Sequence, residues 1–255
     1  MWEMLYGRNA VAEALAAGRR KVDQILLAEG ARDRGPIERI LSLAAERGVV
    51  VHRVDRRQLE SLGAVNHQGV AAQAAPYPYG ETDAMLKLAS QRQEPPLLLL
   101  LDCLQDPQNL GTLLRTAEAV GVHGVLIPRH HAVQITPAVS NSSSGAVEHL
   151  LIAQVTNLVR SMEDLKKAGL WVVGLDQRPA ARNYREVDLN MPLALVVGSE
   201  GQGLGRLVSE HCDLLIELPM RGQINSLNAS VAGSIALYEA WQQRPAASSA
   251  LEEGS

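Results

Sequence analysis

Phenylalanine is missing from all 255 residues of this chain, and tyrosine and tryptophan bring the aromatic share to only 3%. A surface that reads unpaired bases by stacking them on aromatic rings therefore has little material. Cysteine is almost as scarce. Cys103 and Cys212 each sit in an apolar, strand-like or helix-like context with no second ligand at metal-binding spacing, which excludes a disulfide framework and predicts two reduced, buried thiols. Long apolar runs are lacking too: stretches such as 97–101 are far too short to span a bilayer, and the opening MWEMLYGRNAV has no basic segment leading into an apolar one. A soluble, cytoplasmic protein is expected.

What is present is a large potential core, at 46% hydrophobic residues, in a length that suits one big domain or two ordinary ones. The net charge of −4 argues mildly against nucleic acid, but it is unevenly placed. Residues 1–75 carry 11 Lys/Arg against 9 Asp/Glu, leaving 13 against 19 for the remainder. If one part of the chain grips phosphate, it is the first.

Short helical and strand-like stretches alternate over 9–75. Helices are expected near 9–17, 36–47 and 57–62, and strands at VDQILLA, VVVHRV and GVAAQAA, which together describe a small α/β domain. PYPYGETD, a polar helix and QRQEPP then form a linker over 76–95. The run LLLLLD opens a second region and has the continuous apolar character of a strand buried on both faces of a parallel sheet. Helix 109–120, strands HGVLIP and LLIAQV, helix 157–168, strands WVVGLD and LALVVG, helix 204–212, strand LLIELP and helix 228–244 complete it. The fold class is thus α/β with a mainly parallel sheet over 96–244 and a smaller α/β domain over 1–75, followed by a disordered tail at 245–255.

Three loops follow the carboxyl ends of buried strands, where open α/β sheets place their ligands. In the first, at 102–119, Asp106 and Pro107 make a turn, Asn109 can cap the next helix, Gly111 permits a close backbone approach, and Arg115 lies near two turns beyond Asn109. Taken alone this is an N-cap and a surface arginine. The second, at 198–205, has glycines at 201, 203 and 205 after a strand and resembles a dinucleotide fingerprint, with Glu217 at the distance of a ribose-binding acid. Glu200 would oppose a pyrophosphate there, and too little chain follows for the rest of that fold, whereas a phosphate-free cofactor bearing a sulfonium meets no such conflict. In the third, at 218–232, Pro219 ends a strand, Arg221, Gly222 and Gln223 turn the chain, and Ser226, Leu227, Asn228 and Ser230 start a helix. Capping by Ser226 or Asn228 explains part of that pattern; the density of hydroxyl and amide groups exceeds what a cap requires.

With these loops in this order, the chain resembles the SpoU/TrmH family of SPOUT-class RNA 2′-O-ribose methyltransferases. The motifs N-x-G-x-x-x-R-T-A, G-x-E-G-x-G and I/L-P-M-x-G-x-x-x-S-L-N-x-S-V-A stand here at 109–117, 198–203 and 218–232. YGRNAVAEAL and NHQGVAA resemble the L30e-like RNA-binding domain of the subgroup that methylates a guanosine of 23S ribosomal RNA. The resemblance implies a C-terminal SPOUT domain with a deep trefoil knot, a homodimer, S-adenosyl-L-methionine as cofactor and large-subunit ribosomal RNA as partner, with no membrane and no metal. A knot is outside what sequence patterns can foresee. By the same resemblance, Arg115, Asn109, Glu200, Ser226 and Asn228 match catalytic positions, and Gly198, Leu218, Leu227, Val197, Ser199, Gly201 and Met220 match the cofactor site. Arg8, Asn9 and Ser144 match substrate contacts. Asn9 stands where relatives often carry histidine, which bears on RNA recognition and not on the chemistry.

The implied reaction is a displacement in which a ribose 2′-oxygen takes a methyl group from a sulfonium, so alignment and help with one proton are what the protein supplies. Guanidinium groups hold their proton in proteins; Arg115 is therefore assigned to the adjacent phosphate and the developing alkoxide. Ser226 and Asn228 are assigned to the ribose, and Glu200 to Arg115 or the 3′-side hydroxyl. Alternatives are a tRNA acceptor, a base-nitrogen acceptor on the same fold, and a non-catalytic RNA-binding factor. The adjacent His130 and His131 point apart and form no metal constellation. The Asn141 sequon means nothing in a chain without a secretion signal; 141–144 reads as a polar turn before a short helix, lining the RNA cleft near Ser144.

Overall fold

The computed structural model describes residues 2–63 and 65–244, and the expected disordered tail lies outside the described residues. The chain forms two units. One comprises the described residues up to Tyr79 with Asp106–Glu118 and Val133–Leu150; the other comprises Gly80–Gln105, Ala119–Ala132 and the described residues from Leu151 onward.

In the first unit, strand β1 (Glu3–Tyr6), helix α1 (Arg8–Ala17), β2 (Val22–Ala28), α2 (Pro36–Glu46), β3 (Val50–Val54), α3 (Arg56–Glu60) and β4 (Val70–Ala74) follow one another. The sheet order is β1-β4-β2-β3, with β4 antiparallel to both of its neighbours and β2 parallel to β3. Pro36 starts α2 where a helix has no use for its missing N–H, and the Asp55 carboxylate caps α3 by accepting from the Arg57 N–H. Leu5, Val11, Leu15, Ile25, Leu27, Ile40 and Val70 fill the space between helices and sheet with no exposed surface. Helix α4 (Thr82–Arg92) belongs to the second unit. Helix α5 (Pro107–Ala119), apart from its last residue, returns to the first, as do α6 (Pro137–Ser142) and a 3-10 turn at Ala146–His149.

The expected elements are found with their ends shifted by one or two residues. Asn109 is not the cap of α5: the helix starts at Pro107, and the Asp106 carboxylate accepts from the N–H groups of Gln108 and Asn109. Proline supplies no donor at the first position, so the acid before it is the better cap. The polar turn expected at 141–144 before a short helix is found at 143–145, directly before the 3-10 turn; Asn141 and Ser142 instead end α6, and Ser144 adopts a left-handed φ of 54°. Strand β1 has no sequence signature, because only pairing with distant β4 makes it a strand.

In the second unit, β5 (Leu97–Leu101), β6 (Gly124–Pro128), β7 (Ile152–Val155), β8 (Trp171–Leu175), β9 (Arg182–Asn183), β10 (Leu193–Val197) and β11 (Leu214–Glu217) make one sheet in the order β7-β6-β5-β10-β8-β11-β9, with every recorded pairing parallel. Helices α7 (Leu158–Lys167), α8 (Arg206–Glu210) and α9 (Ala229–Gln242) connect or follow these strands. Helix α8 is shorter at both ends than expected, because Gly205 is its N-cap and the chain before it is held in the loop described below. All residues of β5 and β10 are buried, which matches their unbroken apolar sequences. Leu98, Leu100, Leu126, Met162, Val172 and Val196 form one cluster with α4 and α7.

A Cβ built on Gly111 would lie 1.9 Å from Ser142 Oγ and 2.8 Å from Ser143 N, the close backbone approach expected of this glycine. Truncating Leu100, which is wholly buried, is expected to cost about 2–5 kcal/mol. A urea midpoint for Leu100→Ala unchanged from the parent would contradict that packing.

Candidate functional site

The parallel register lines up four strand ends in the second unit. Val197 stands opposite Leu101 on one side and Leu175 on the other, and Leu175 in turn stands opposite Ile216. The segments leaving β10, β8 and β11 therefore emerge side by side. They enclose a cavity of about 230 Å³.

The wall from β10 is the 198–203 loop. Ser199 and Gly203 exchange backbone hydrogen bonds in both directions at 3.1 Å, which closes the loop into a tight turn. The turn folds back onto its own strand: a Cβ on Gly198 would come 2.3 Å from the Gly203 carbonyl oxygen, so a side chain there cannot be accommodated. Asp102, at the end of β5, holds the far end of the loop; its Oδ2 accepts from the Gly205 N–H at 2.7 Å in a largely buried position. The first strand-end loop thus meets the second through a residue that pattern reading passed over. The nearby Cys103 thiol is pushed up from its usual value by burial and by the Asp102 charge, so it stays protonated. Cys212 is pushed up to about 12, chiefly by burial. Both thiols are half-buried, not fully enclosed as expected.

The cavity gathers Val197, Gly198, Ser199, Glu200 and Gly201 from the second loop, and Leu218, Met220, Ser226 and Leu227 from the third. All seven residues expected to hold a cofactor line it, joined by two of the residues expected to be catalytic. Asp176, Gln177, Gln202, Glu217, Ala229 and Ala232 line it too and were not foreseen as cofactor contacts. The usable signal for Asp176 was its place as an acid directly after the strand WVVGL, the counterpart of Gly198 after LALVV. Arg178 steadies that acid from outside the cavity, with Nε 2.9 Å from Asp176 Oδ2 and Nη2 donating to the Leu204 carbonyl at 3.1 Å.

The chemistry of this lining is one-sided. Asp176, Glu200 and Glu217 provide three carboxylates, while Leu175, Leu218, Leu227 and Met220 provide an apolar wall. Among the described lining residues there is no lysine, arginine or histidine. Such a pocket disfavours phosphate and accepts a neutral or cationic guest with an apolar body. Asn228 begins α9, where its Oδ1 accepts from the N–H groups of Ser230 and Val231 and from the Ser230 hydroxyl. Among the described residues, no group of three or more His, Cys, Asp or Glu could hold a metal ion.

The remaining expected residues lie in the first unit. Arg115, on α5, donates from Nη1 to Ser144 Oγ at 3.2 Å. Asn109 is in the first turn of the same helix. Arg8 and Asn9 open α1, with Arg8 donating from its backbone N–H to Gln68 Oε1 and from Nε to the Gln68 carbonyl. A Cβ on Gly145 would come 2.9 Å from the Asn9 carbonyl, so the turn that carries Ser144 packs against the start of α1. The turn thus has the start of α1 on one side and, through Ser144, the Arg115 guanidinium as a hydrogen-bond partner.

Comparison with known proteins divides the chain differently, since the segments 106–118 and 133–150 of the first unit fall within the longer match. Residues 96–238 match the SpoU rRNA Methylase family, and residues 4–80 match the model for RNA 2′-O ribose methyltransferase substrate binding. The chain belongs to the SpoU rRNA methylase family and is an RNA methyltransferase of the SpoU/TrmH type. A Bacillus subtilis (strain 168) relative, "Putative TrmH family tRNA/rRNA methyltransferase YacO", is 46% identical over 242 residues, covering 95% of this chain and 96% of its own. A Staphylococcus aureus (strain MSSA476) relative, "Putative TrmH family tRNA/rRNA methyltransferase", is 44% identical over 241 residues, covering 94% of this chain and 96% of its own. The crystal structure of an RNA 2′-O ribose methyltransferase is similar with a TM-score of 0.76 at 26% identity, over 95% of this chain and 88% of that one. The SpoU methyltransferase AviRb from Streptomyces viridochromogenes, solved in complex with the cofactor AdoMet, shares the fold with a TM-score of 0.78 at 24% identity, over 95% and 90%.

Gly198→Ala is expected to destabilise the fold by roughly 1–3 kcal/mol, because the added methyl meets backbone and not a flexible side chain. Equilibrium denaturation of the variant reads this directly, and parental stability would show that the loop is not packed as described.

Proposed function

We propose that the protein methylates a ribose 2′-hydroxyl of RNA with S-adenosyl-L-methionine as the methyl donor, and that its acceptor is a guanosine of 23S ribosomal RNA. The observation that carries the cofactor part is the lining of the 230 Å³ cavity, acidic and apolar with no cationic side chain among its described residues. That chemistry fits a sulfonium with an uncharged nucleoside and repels a pyrophosphate. When bound, S-adenosyl-L-methionine supplies a methyl group already activated for displacement. Gly198, Ser199, Gly201, Val197, Leu218, Met220 and Leu227 would hold it, largely through backbone groups and apolar contact. The substrate-binding match over 4–80 supports an RNA acceptor. A tRNA acceptor is the alternative, since relatives are described as tRNA/rRNA methyltransferases.

Residues 1–75 would be the RNA substrate-binding domain, 76–95 a linker and 96–244 the methyltransferase domain, with the knot implied by the family. Arg115 neutralises the phosphate beside the reacting sugar and stabilises negative charge as the 2′-oxygen loses its proton. Its hydrogen bond to Ser144 keeps the guanidinium directed. Asn109, on the same helix, assists, and Arg8 and Asn9 bind RNA outside the reacting nucleotide. Ser226 and Asn228 orient the ribose, with Asn228 held at the start of α9 by its cap. Glu200, on the cavity wall, steadies the sugar hydroxyls.

We also assign a homodimer. Val231, Ile235, Tyr238 and Trp241 recur every three or four residues along α9 and are exposed by a third to a half. A stripe of this kind on one helix face is an association surface. Ile235→Asp is expected to convert a dimer to monomers in analytical ultracentrifugation; a parent that sediments as a monomer would refute the assignment.

Arg115→Ala should lower the methylation rate at least a hundredfold while leaving S-adenosyl-L-methionine affinity, read by calorimetry, within about twofold, and Arg115→Lys should recover only part of the rate. Near-parental activity of the alanine variant would overturn the catalytic assignment. Resistance of the linkage next to the modified nucleotide to nuclease reports methylation of the 2′-oxygen. Mass-spectrometric mapping of ribosomal and transfer RNA from cells lacking the gene decides the acceptor.

A further inference from the structure

We infer that Arg20 and Glu148 are positioning residues for the reaction: a buried ion pair between them fixes the turn that carries Ser144, and through Ser144 the guanidinium of Arg115. The inference rests on the catalytic reading of Arg115 given above. Arg20 follows α1 and Glu148 lies in the 3-10 turn four residues after Ser144, yet both belong to the first unit. Their side chains are each 1% exposed. Arg20 donates from Nε to Glu148 Oε2 at 2.8 Å and from Nη2 to the other carboxylate oxygen, a fork-to-fork pair, and Nη2 also reaches Ser140 Oγ at 3.0 Å. The remaining nitrogen, Nη1, lies 3.4 Å from both Glu3 Oε2 and the Ala75 carbonyl. Ser140 completes the loop by donating from Oγ to Glu148 Oε1 at 3.2 Å.

A pair so deeply buried is a poor source of stability, since desolvating two charges costs about as much as their attraction returns and apolar residues of the same size often serve the fold equally well. What it supplies is geometry. The guanidinium plane admits one orientation of the carboxylate, and it grips the turn at two points, Ser140 before Ser144 and Glu148 after it. Between those points the chain makes its left-handed step at Ser144, closed by the Ser144 N–H to Asn141 carbonyl and Gly145 N–H to Ser140 carbonyl bonds. Asn141 adds a third attachment by donating from Nδ2 to the Tyr6 carbonyl, at the end of β1. The sequence segment that matches an RNA-binding module is in this way fastened to the turn that presents a hydroxyl to Arg115.

The test compares the paired apolar variant R20M/E148L, and the gentler R20K, with the parent. R20M/E148L is expected to keep a melting temperature close to that of the parent, and R20K, which retains the charge but not the fork, to stay folded with a lower one. Amide hydrogen exchange at Ser144, Gly145 and Ala146 should quicken at least tenfold, with strands β5 and β10 protected as before. Methylation kcat should fall tenfold or more, with S-adenosyl-L-methionine affinity by calorimetry within twofold, and R20K should lie between the parent and the double variant. If a folded R20M/E148L or R20K kept parental exchange at those three amides, or parental kcat, the positioning role would be refuted, as it would be by an equal loss of cofactor affinity. Should R20M/E148L not fold, R20K decides alone. A parental rate in R115A would strike down the catalytic reading by itself, whereas a dead R115A beside a fully active R20K would strike down only this inference.

Discussion

Placing β10 between β5 and β8 is the constraint on which the cavity depends. β10 pairs in parallel, residue for residue, with both neighbours, and β8 continues the same register to β11. Carboxyl ends that are far apart in the chain come into one row, and a strand order that jumps in this way leaves a crevice beyond them. The cost is that β5 and β10 are buried on both faces, which is why their sequences are aliphatic without interruption.

Within that crevice the local geometry follows from small residues. Gly198 is in contact with the backbone of Gly203, Ser199 and Gly203 bond reciprocally, and the Asp102 carboxylate holds the Gly205 N–H. With the loop pinned at both ends, its backbone groups are set in place before any ligand arrives, which lowers the ordering cost of binding. The acidic and apolar lining then selects by charge, and the absence of cationic side chains among the described lining residues separates this pocket from the phosphate-binding loops that its glycine spacing resembles.

The first unit solves a different problem, that of giving a long, flexible arginine one orientation. Arg115 leans on Ser144, Ser144 sits in a left-handed turn, and the turn is bracketed by contacts of Arg20 with Ser140 and Glu148. Gly111 lets α5 approach that turn closely enough for the arginine to reach it. Part of the side-chain entropy of Arg115 is thereby lost already in the folded protein.

The amino-acid sequence by itself determined the two α/β regions, most element positions, the three strand-end loops and the residues within them that line the cavity, because buried parallel strands need unbroken apolar runs and tight loops need glycine at particular places. The site was legible wherever function and local structure ask for the same residue type at a fixed spacing, as at Gly198 and at 218–227. Tertiary structure alone decided the strand order, the existence of β1, the cap at Asp106 in place of Asn109, the anchoring by Asp102, and the meeting of Arg20 with Glu148. Each of these joins groups whose partner is remote in the chain, or is chosen by competition between two acceptable local partners, and neither remoteness nor competition leaves a periodic mark on the sequence.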